Sequence, residues 1–576
     1  MKQSFQYAVL LVFGLAAFWS GCHAEPPASP VAGPEPYGEI GINLYANVDY
    51  GTGHIWADAA HAFRPWGQVG SAYKPNPSLT FTPDGYPLQD ADTLSYMTNY
   101  PNGIYKLSWA GAGNMVAYGI GAESNYSRTG DSATADVTLK HDSKDGLTGG
   151  MLFLGIRSNN ILDPVHDIHL WGPGYGPGDT FTHDFVRRVR PFHCIRFMDW
   201  TGTNNSPQVS WSDRIRPANM MWATTGVPWE AAVALANATG RDMWINVPVQ
   251  AGDDYVKQLA TLIKTQLNPS LKVRVEYSNE VWNSIFQQFG YNLNQARKNP
   301  ALNKTDDFGW AAQQAGLRAK QVGDVFRAVW GDQSNRLIPV FGGQASNNYW
   351  HDTALQYVKD QFGDPSQFFK EIAIAPYVGD QTGTSPAGGW TLDALFPVLE
   401  KFTSTTVAKW TSDAKSSADH WGVGLVAYEG GQDLVNSPLP GELIMGAEND
   451  LRMATLYHDM LKTWHANGGG MFMEFSHIGQ GWGLLQTSIQ AGSPEWDASM
   501  SMLLKPGDAN LDGKVDFEDF AILRAYFGRG SWWEQGDFNG DGVVDRADLD
   551  LLYPNLTGLT PQQQAAVDAF RAAHPK

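Results

Sequence analysis

From residue 39 to 63, and again from about residue 166 to 475, short apolar runs alternate with longer stretches whose apolar residues recur every three to four positions. The short runs predict buried strands at 41–45, 168–171, 194–198, 243–247, 273–277, 337–341, 372–375, 425–428 and 471–475. The longer stretches predict helices at 55–63, 181–189, 231–238, 255–266, 310–330, 392–415 and 449–466. Apolar strands separated by amphipathic helices make a parallel sheet covered on its faces. Close to eight such repeats favour a (β/α)8 TIM-type barrel of the α/β class over an open doubly wound sheet. Between residues 73 and 164 the pattern changes to two-residue alternation broken by Gly, Asn and Asp, as at 104–109 and 135–140, which predicts an inserted antiparallel β module. A small α-helical region of duplicated, EF-hand-like loop-helix units follows the barrel.

The ends of the chain read differently. Lys2, an apolar run over 8–19 and the small residues after it make residues 1–24 an export signal. Cys22, in Trp19-Ser20-Gly21-Cys22, resembles a bacterial lipoprotein box, so lipidation at Cys22 and simple cleavage after Ala24 stand as alternatives. No later run reaches the ~18–20 apolar residues that span a bilayer, so the mature chain is expected to be extracytoplasmic, either secreted or held at the cell surface or outer membrane by lipid. The expected partition is a Pro-rich linker at 25–38, a barrel at 39–504 containing the insert, a calcium-binding domain at 505–556 and a tail at 557–576. A length of 576 residues agrees with several units, since single cores stop growing near ~250–300 residues. With 40 basic against 59 acidic residues the net charge is −19, which repels phosphate backbones and excludes nucleic acid as a partner. Twenty-two Trp, 22 Tyr and 27 Phe supply flat faces suited to sugar rings. Cys194, the other cysteine, lies in an apolar run and reads as core.

Calcium chemistry is written near the C-terminus. Asp508, Asn510, Asp512 and Asp519 occupy positions 1, 3, 5 and 12 of a calcium loop, Gly513 position 6, and Lys514 position 7, which donates a backbone carbonyl. A second copy places Asp537, Asn539, Asp541, Val543 and Asp548 in the same roles around Gly542. Six to eight hard oxygen ligands are what Ca²⁺ takes, so two sites are expected. Position 12 is Asp where an EF-hand has Glu, and duplicated loop-helix units ending in Asp resemble type I dockerins. That resemblance implies a cohesin-bearing scaffold as a partner. It also implies that partner choice lies at Phe517-Glu518 and Arg546-Ala547, which differ between the copies.

Two glutamates follow apolar strands. Asn279-Glu280 ends the run at 273–277, and Glu429 ends the run at 425–428. Cleavage of an acetal needs a proton for the leaving oxygen and a second carboxylate for the oxocarbenium-like carbon. The arrangement resembles clan A of the glycoside hydrolases, whose barrels carry an Asn-Glu acid/base after strand four and a nucleophilic Glu after strand seven. The resemblance implies a retaining O-glycosyl hydrolase (3.2.1.-) acting on a polysaccharide, with Glu280 as acid/base and Glu429 as nucleophile, and without a cofactor in catalysis. It also implies that Asn279 binds the sugar 2-hydroxyl, that Arg196 orients the nucleophile and that Tyr377 hydrogen-bonds it. Asp199 and Trp200 are further substrate-binding candidates, and Trp482 is the first choice of stacking platform, with Trp282 behind it. Glu474 is the rival nucleophile, whereas Glu276, before the strand end, is expected to point elsewhere. His166, His169, His183 and His193 match no metal-ligand spacing, and no nucleophile elbow or phosphate loop is present. The alternative is a non-catalytic carbohydrate-binding protein or a scaffold component.

Overall fold

The computed structural model describes residues 37–141, 150–379, 389–479 and 481–575. The signal segment, Cys22 and nearly all of the Pro-rich linker lie outside them. Eight parallel strands close into a barrel: β1 (Ile40–Asn43), β2 (Cys194–Arg196), β3 (Asp242–Val247), β4 (Val273–Tyr277), β5 (Leu337–Gly342), β6 (Glu371–Ile374), β7 (Gly424–Ala427) and β8 (Phe472–Glu474). Closure is made by β1, which pairs with β2 through Ile42↔Ile195 and with β8 through Gly41↔Met473.

Successive side chains in a strand face opposite ways, and this parity sorts the barrel. Ile42, Ile195, Met243, Ile245, Val273, Val275 and Ile372 pack with the main core against the helices. The intervening residues Cys194, Trp244, Val340, Ala373, Val426, Tyr428, Met471 and Met473 form a separate apolar cluster filling the lumen. Burial in that cluster pushes the Cys194 thiol up to about 12.

The run at 168–171 is not a barrel strand. It belongs to His166–Trp171, which pairs antiparallel with Gly103–Ala110 through Leu170↔Leu107. Its burial alternates, as suits a strand with one face on a core and one on solvent. The insert between β1 and β2 therefore contains a four-stranded and a five-stranded antiparallel sheet. It packs on the loops that follow β1 and β2: the Asp58 carboxylate accepts from Leu170 N at 2.7 Å and meets His169 Nδ1 at 2.6 Å, and Tyr86 donates to Ala218 O at 3.3 Å. The helix predicted at 55–63 is reduced to a 3-10 turn at Ala59–Ala62. The one predicted at 392–415 is interrupted at Thr403–Val407, a wide turn in which Thr403, Ser404 and Thr405 hydroxyls bond back to the carbonyls of Leu399, Glu400 and Lys401.

The duplicated units place helices at Phe517–Tyr526 and Arg546–Leu552. The expected tail is a helix, Pro561–Ala573, started by a capping box of Thr560 and Gln563 and held by Phe570 against Phe520 and Phe527 at 5.6 and 5.1 Å. A turn between the two units joins this region to the barrel. Trp533, 1% exposed, donates its backbone N–H to Asp497 Oδ2 in the barrel helix Pro494–Leu503 (3.0 Å) and its indole N–H to Asp508 O (2.8 Å). Next to it, Glu534 pairs with Arg187 at 2.7 Å and Arg188 at 3.1 Å from the helix His183–Val189.

Candidate active site

All the carboxylates of interest except one meet at the C-terminal end of the barrel lumen. Register puts Asn43 beside Arg196 and Asn246 beside Glu276, so inward parity delivers all four to one layer. Arg196 is fully buried and its guanidinium forks between two acids: Nη1 meets Glu429 Oε1 at 2.7 Å and Nη2 meets Glu276 Oε2 at 3.0 Å. The same nitrogens donate to Asn43 Oδ1 (3.1 Å) and Asn279 Oδ1 (2.8 Å). The second Glu429 oxygen accepts from Tyr377 Oη at 3.1 Å.

Glu280 lies just beyond the end of β4, where the backbone turns sharply: Ser278 and Glu280 have φ of +58° and +40°. Such values are costly for residues with a Cβ and concentrate at functional sites. Its carboxylate accepts from Tyr428 Oη at 3.0 Å and Asn283 Nδ2 at 2.9 Å, both neutral donors. Burial pushes both Glu280 and Glu429 upward, with the Glu276 charge adding to it at Glu280 and the Glu280 charge at Glu429, while Arg196 pulls both back and, being in contact, pulls Glu429 directly. The two titrate as a coupled pair in which the guanidinium favours the negative charge on Glu429. Asp199 lies near the same group: burial and the Glu429 charge raise it to about 7 against the pull of Arg196.

The structure therefore brings together Glu280, Glu429, Asn279, Arg196 and Tyr377, with Asp199 close by. Trp482 is half-buried after β8, its indole N–H on Asp433 Oδ1 at 3.0 Å and its ring 6.2 Å from that of Phe475. Trp200 is not brought there: it is fully buried among Trp56, Phe185 and Phe197 at 5.2, 5.8 and 5.9 Å, an aromatic core with no face left for a sugar. Glu474 is the acid that stays apart. Its parity turns it outward to the helix layer, where it accepts from Ser499 Oγ, at 3.0 and 2.9 Å, and burial raises it to about 8.

Glu276 reverses the expectation. It faces the lumen and takes three donors on one oxygen, from Arg196, Trp244 Nε1 (2.8 Å) and Asn246 Nδ2 (2.7 Å). Its signal was present in Val273-Arg274-Val275-Glu276-Tyr277, where the apolar residues take the helix side and leave the charged ones inside. Asn43 and Tyr428 are also members that motif reading missed, and the same parity rule finds both.

In the C-terminal loops each first Asp folds the loop around itself. Asp508 accepts from the N–H groups of Asp512 (3.1 Å) and Gly513 (2.9 Å), and Asp537 from those of Gly540 and Gly542 (both 2.8 Å). Asp519 takes Ala509 N and Asn510 N at 2.9 and 3.1 Å, and Asp548 takes Phe538 N and Asn539 N at 2.8 and 3.2 Å. Gly513 and Gly542 have φ of +88° and +86°, which explains glycine at position 6. Asp512 Oδ1 accepts from Lys514 N and Asp541 Oδ1 from Val543 N. No group of three or more His, Cys, Asp or Glu side chains among the described residues is drawn together tightly enough to hold a metal ion. The donor set still suits a hard cation: it is all oxygen, and burial with mutual repulsion pushes Asp508 to about 7 and Asp548 to about 6, strain that a bound cation relieves.

Comparison with known proteins gives two kinds of result. Residues 506–557 match the dockerin type I domain, a domain type that typically binds calcium. No curated protein matches the chain. Among solved structures it resembles a 4-O-α-L-rhamnosyl-β-D-glucuronidase from Fusarium oxysporum, at 12% identity and TM-score 0.32, covering 55% of this chain and 62% of that one. It also resembles a family 51 α-L-arabinofuranosidase from Bifidobacterium longum, at 11% identity and TM-score 0.35 over 56% and 66% of the two chains. A glycoside hydrolase family 5 enzyme from Prevotella bryantii gives 13% identity and TM-score 0.33 over 56% and 86%. The chain thus spans less than two thirds of the first two. Likenesses of this size assign no reaction, and the chemistry has to come from the site.

Proposed function

We propose that the chain is an exported, retaining glycoside hydrolase acting on an extracellular polysaccharide. The observation that carries this reading is the unequal hydrogen-bond support of two carboxylates, Glu429 buried and Glu280 half-buried, at one end of a (β/α)8 barrel. Glu429 is fixed by a cation and a phenol, Glu280 by neutral donors alone. A nucleophile has to be ionised and a general acid protonated in the same free site, and this asymmetry sorts one shared proton accordingly. Glu280 protonates the leaving glycosidic oxygen while Glu429 attacks the anomeric carbon. Glu280, now ionised, then takes a proton from the water that releases the sugar. Arg196 and Tyr377 orient Glu429, Asn279 reaches the 2-hydroxyl beside it, Asp199 accepts from another sugar hydroxyl, and Trp482 offers a stacking face.

In the C-terminal module, Asp508, Asn510, Asp512, the Lys514 carbonyl and Asp519 would hold one Ca²⁺. Asp537, Asn539, Asp541, the Val543 carbonyl and Asp548 would hold a second. Bound calcium supplies charge compensation to these loops and takes no part in hydrolysis. The partner proposed for this module is a cohesin-bearing scaffold. Export by residues 1–24, with Cys22 as a lipid attachment point, belongs to the same reading. No helix among the described residues is long and apolar enough to cross a membrane.

The test is hydrolysis of soluble and insoluble polysaccharides by the wild type, Glu280→Gln and Glu429→Gln, with products read by mass. One glycan cut by the wild type, and at least about 10³-fold more slowly by either variant with folding intact, is the expected result. Binding without cleavage by the wild type would favour a carbohydrate-binding protein instead.

A further inference from the structure

Arg196 carries one positive charge and serves two carboxylates, only one of which faces the cleft. Glu276 is 2% exposed, and Trp244, Asn246 and Arg196 all donate to its Oε2. Three donors, one of them cationic, fix that oxygen in place. Its other oxygen lies over Gly342 of β5, where a Cβ would stand 2.9 Å from Glu276 Oε1. Glu276 thus stands fixed at the far side of the guanidinium that holds Glu429 at 2.7 Å.

We propose that Glu276 is a positioning residue for hydrolysis: by sharing Arg196 it keeps the guanidinium from neutralising Glu429 fully and so preserves the basicity of the attacking oxygen. This rests on the reading of Glu429 as the nucleophile. A carboxylate with a whole guanidinium to itself becomes a stronger acid and a weaker nucleophile. The groups facing Glu429 are Arg196 and Asp199 from the β2 end, Glu280 from β4, Tyr377 from β6 and Tyr428 from β7. Those facing Glu276 are Arg196, Glu280 and Tyr428.

The experiment follows Glu429 by carboxyl ¹³C NMR titration and, in parallel, kcat/KM against pH, in the full chain. In Glu276→Gln the Glu429 titration and the acid limb of the profile should both move down by about one pH unit. The alkaline limb, set by Glu280, should move the same way, since the Glu276 charge also raises Glu280. Plateau kcat should fall about 10-fold with KM little changed, the mark of an interaction used in the transition state. Glu276→Asp, which keeps the charge, should restore the limb. Trp244→Phe keeps every charge but removes one donor, so Glu276 draws harder on Arg196, and Glu429 should titrate a few tenths of a unit higher. That opposite sign keeps the idea testable if Glu276→Gln does not fold. An unmoved Glu429 titration in a folded Glu276→Gln, with activity falling only as thermal stability falls, overturns the inference while hydrolysis itself stands. A shifted titration in a protein that cuts no glycan supports the coupling and removes the hydrolytic reading instead.

Discussion

In the barrel, Glu276 and Glu429 flank a guanidinium that the chain itself supplies, at 3.0 and 2.7 Å, whereas in the C-terminal loops Asp508, Asp512 and Asp519 accept backbone N–H groups and repel one another. Both groups crowd acids out of water, and both would protonate if nothing opposed them. The barrel group has its counter-charge built in, so its protonation pattern is set by folding. The loop group has no built-in counter-charge, and the calcium proposed for it would supply one from the medium. A site that must hold one proton in one place gains from the first arrangement, and a module whose order is meant to depend on its surroundings gains from the second.

The sharpest way to break this contrast is to remove the built-in cation. Arg196→Met leaves two buried acids facing each other and should cost about 3–5 kcal/mol of stability, the usual loss when one partner of a buried pair is removed. Hydrolysis should fall by at least about 10²–10³-fold in the molecules that remain folded. Chemical denaturation paired with activity measurements checks both. The matching manipulation of the loops needs no mutation: chelation of calcium should disorder the C-terminal units, read by hydrogen exchange of Asp508–Asp519 and Asp537–Asp548. Readdition to 100 times the dissociation constant should restore about 2.7 kcal/mol.

A smaller effect concerns an acid that has neither kind of counter-charge. Glu474, raised to about 8 by burial, binds a proton in the folded state that it releases near its ordinary value when unfolded. Between those two values the native state holds more protons, so this residue makes stability fall as pH rises through that window. Glu474→Gln should flatten that part of the stability-pH curve, measured as thermal midpoints from pH 5 to 8. Smallest of all, Trp482→Ala should raise KM several-fold with kcat nearly unchanged, as loss of a stacking face implies.

How much of this was legible in the sequence depended on the scale of the pattern. The barrel and the helices between its strands follow from apolar runs and their spacing, and Glu280, Glu429, Arg196 and Tyr377 follow from standing at strand ends. Motif reading failed where parity decided. Glu276 was discounted for preceding the strand end, yet the alternation from Val273 to Tyr277 turns it inward, and the same alternation turns Glu474 out. Trp200 stood among the substrate-binding candidates, but its neighbours in space, Trp56 and Phe185, come from segments some distance away in sequence and make it core. The run at 168–171 is apolar enough for a barrel strand, and only its pairing with Gly103–Ala110 assigns it to the insert. The helix Pro561–Ala573 carries mostly small apolar residues, with Val567 buried and Phe570 resting on Phe520, too little to mark it in the sequence.

The turn at Trp533 and Glu534 touches both sides of the joint at once: one indole grips the first calcium loop, and one backbone N–H and one carboxylate grip barrel helices. There is no slack in such a connection. Whatever seizes the C-terminal module also sets the heading of the cleft, so attachment here governs aim as well as reach, and a substrate surface would be met at an angle chosen by the fold.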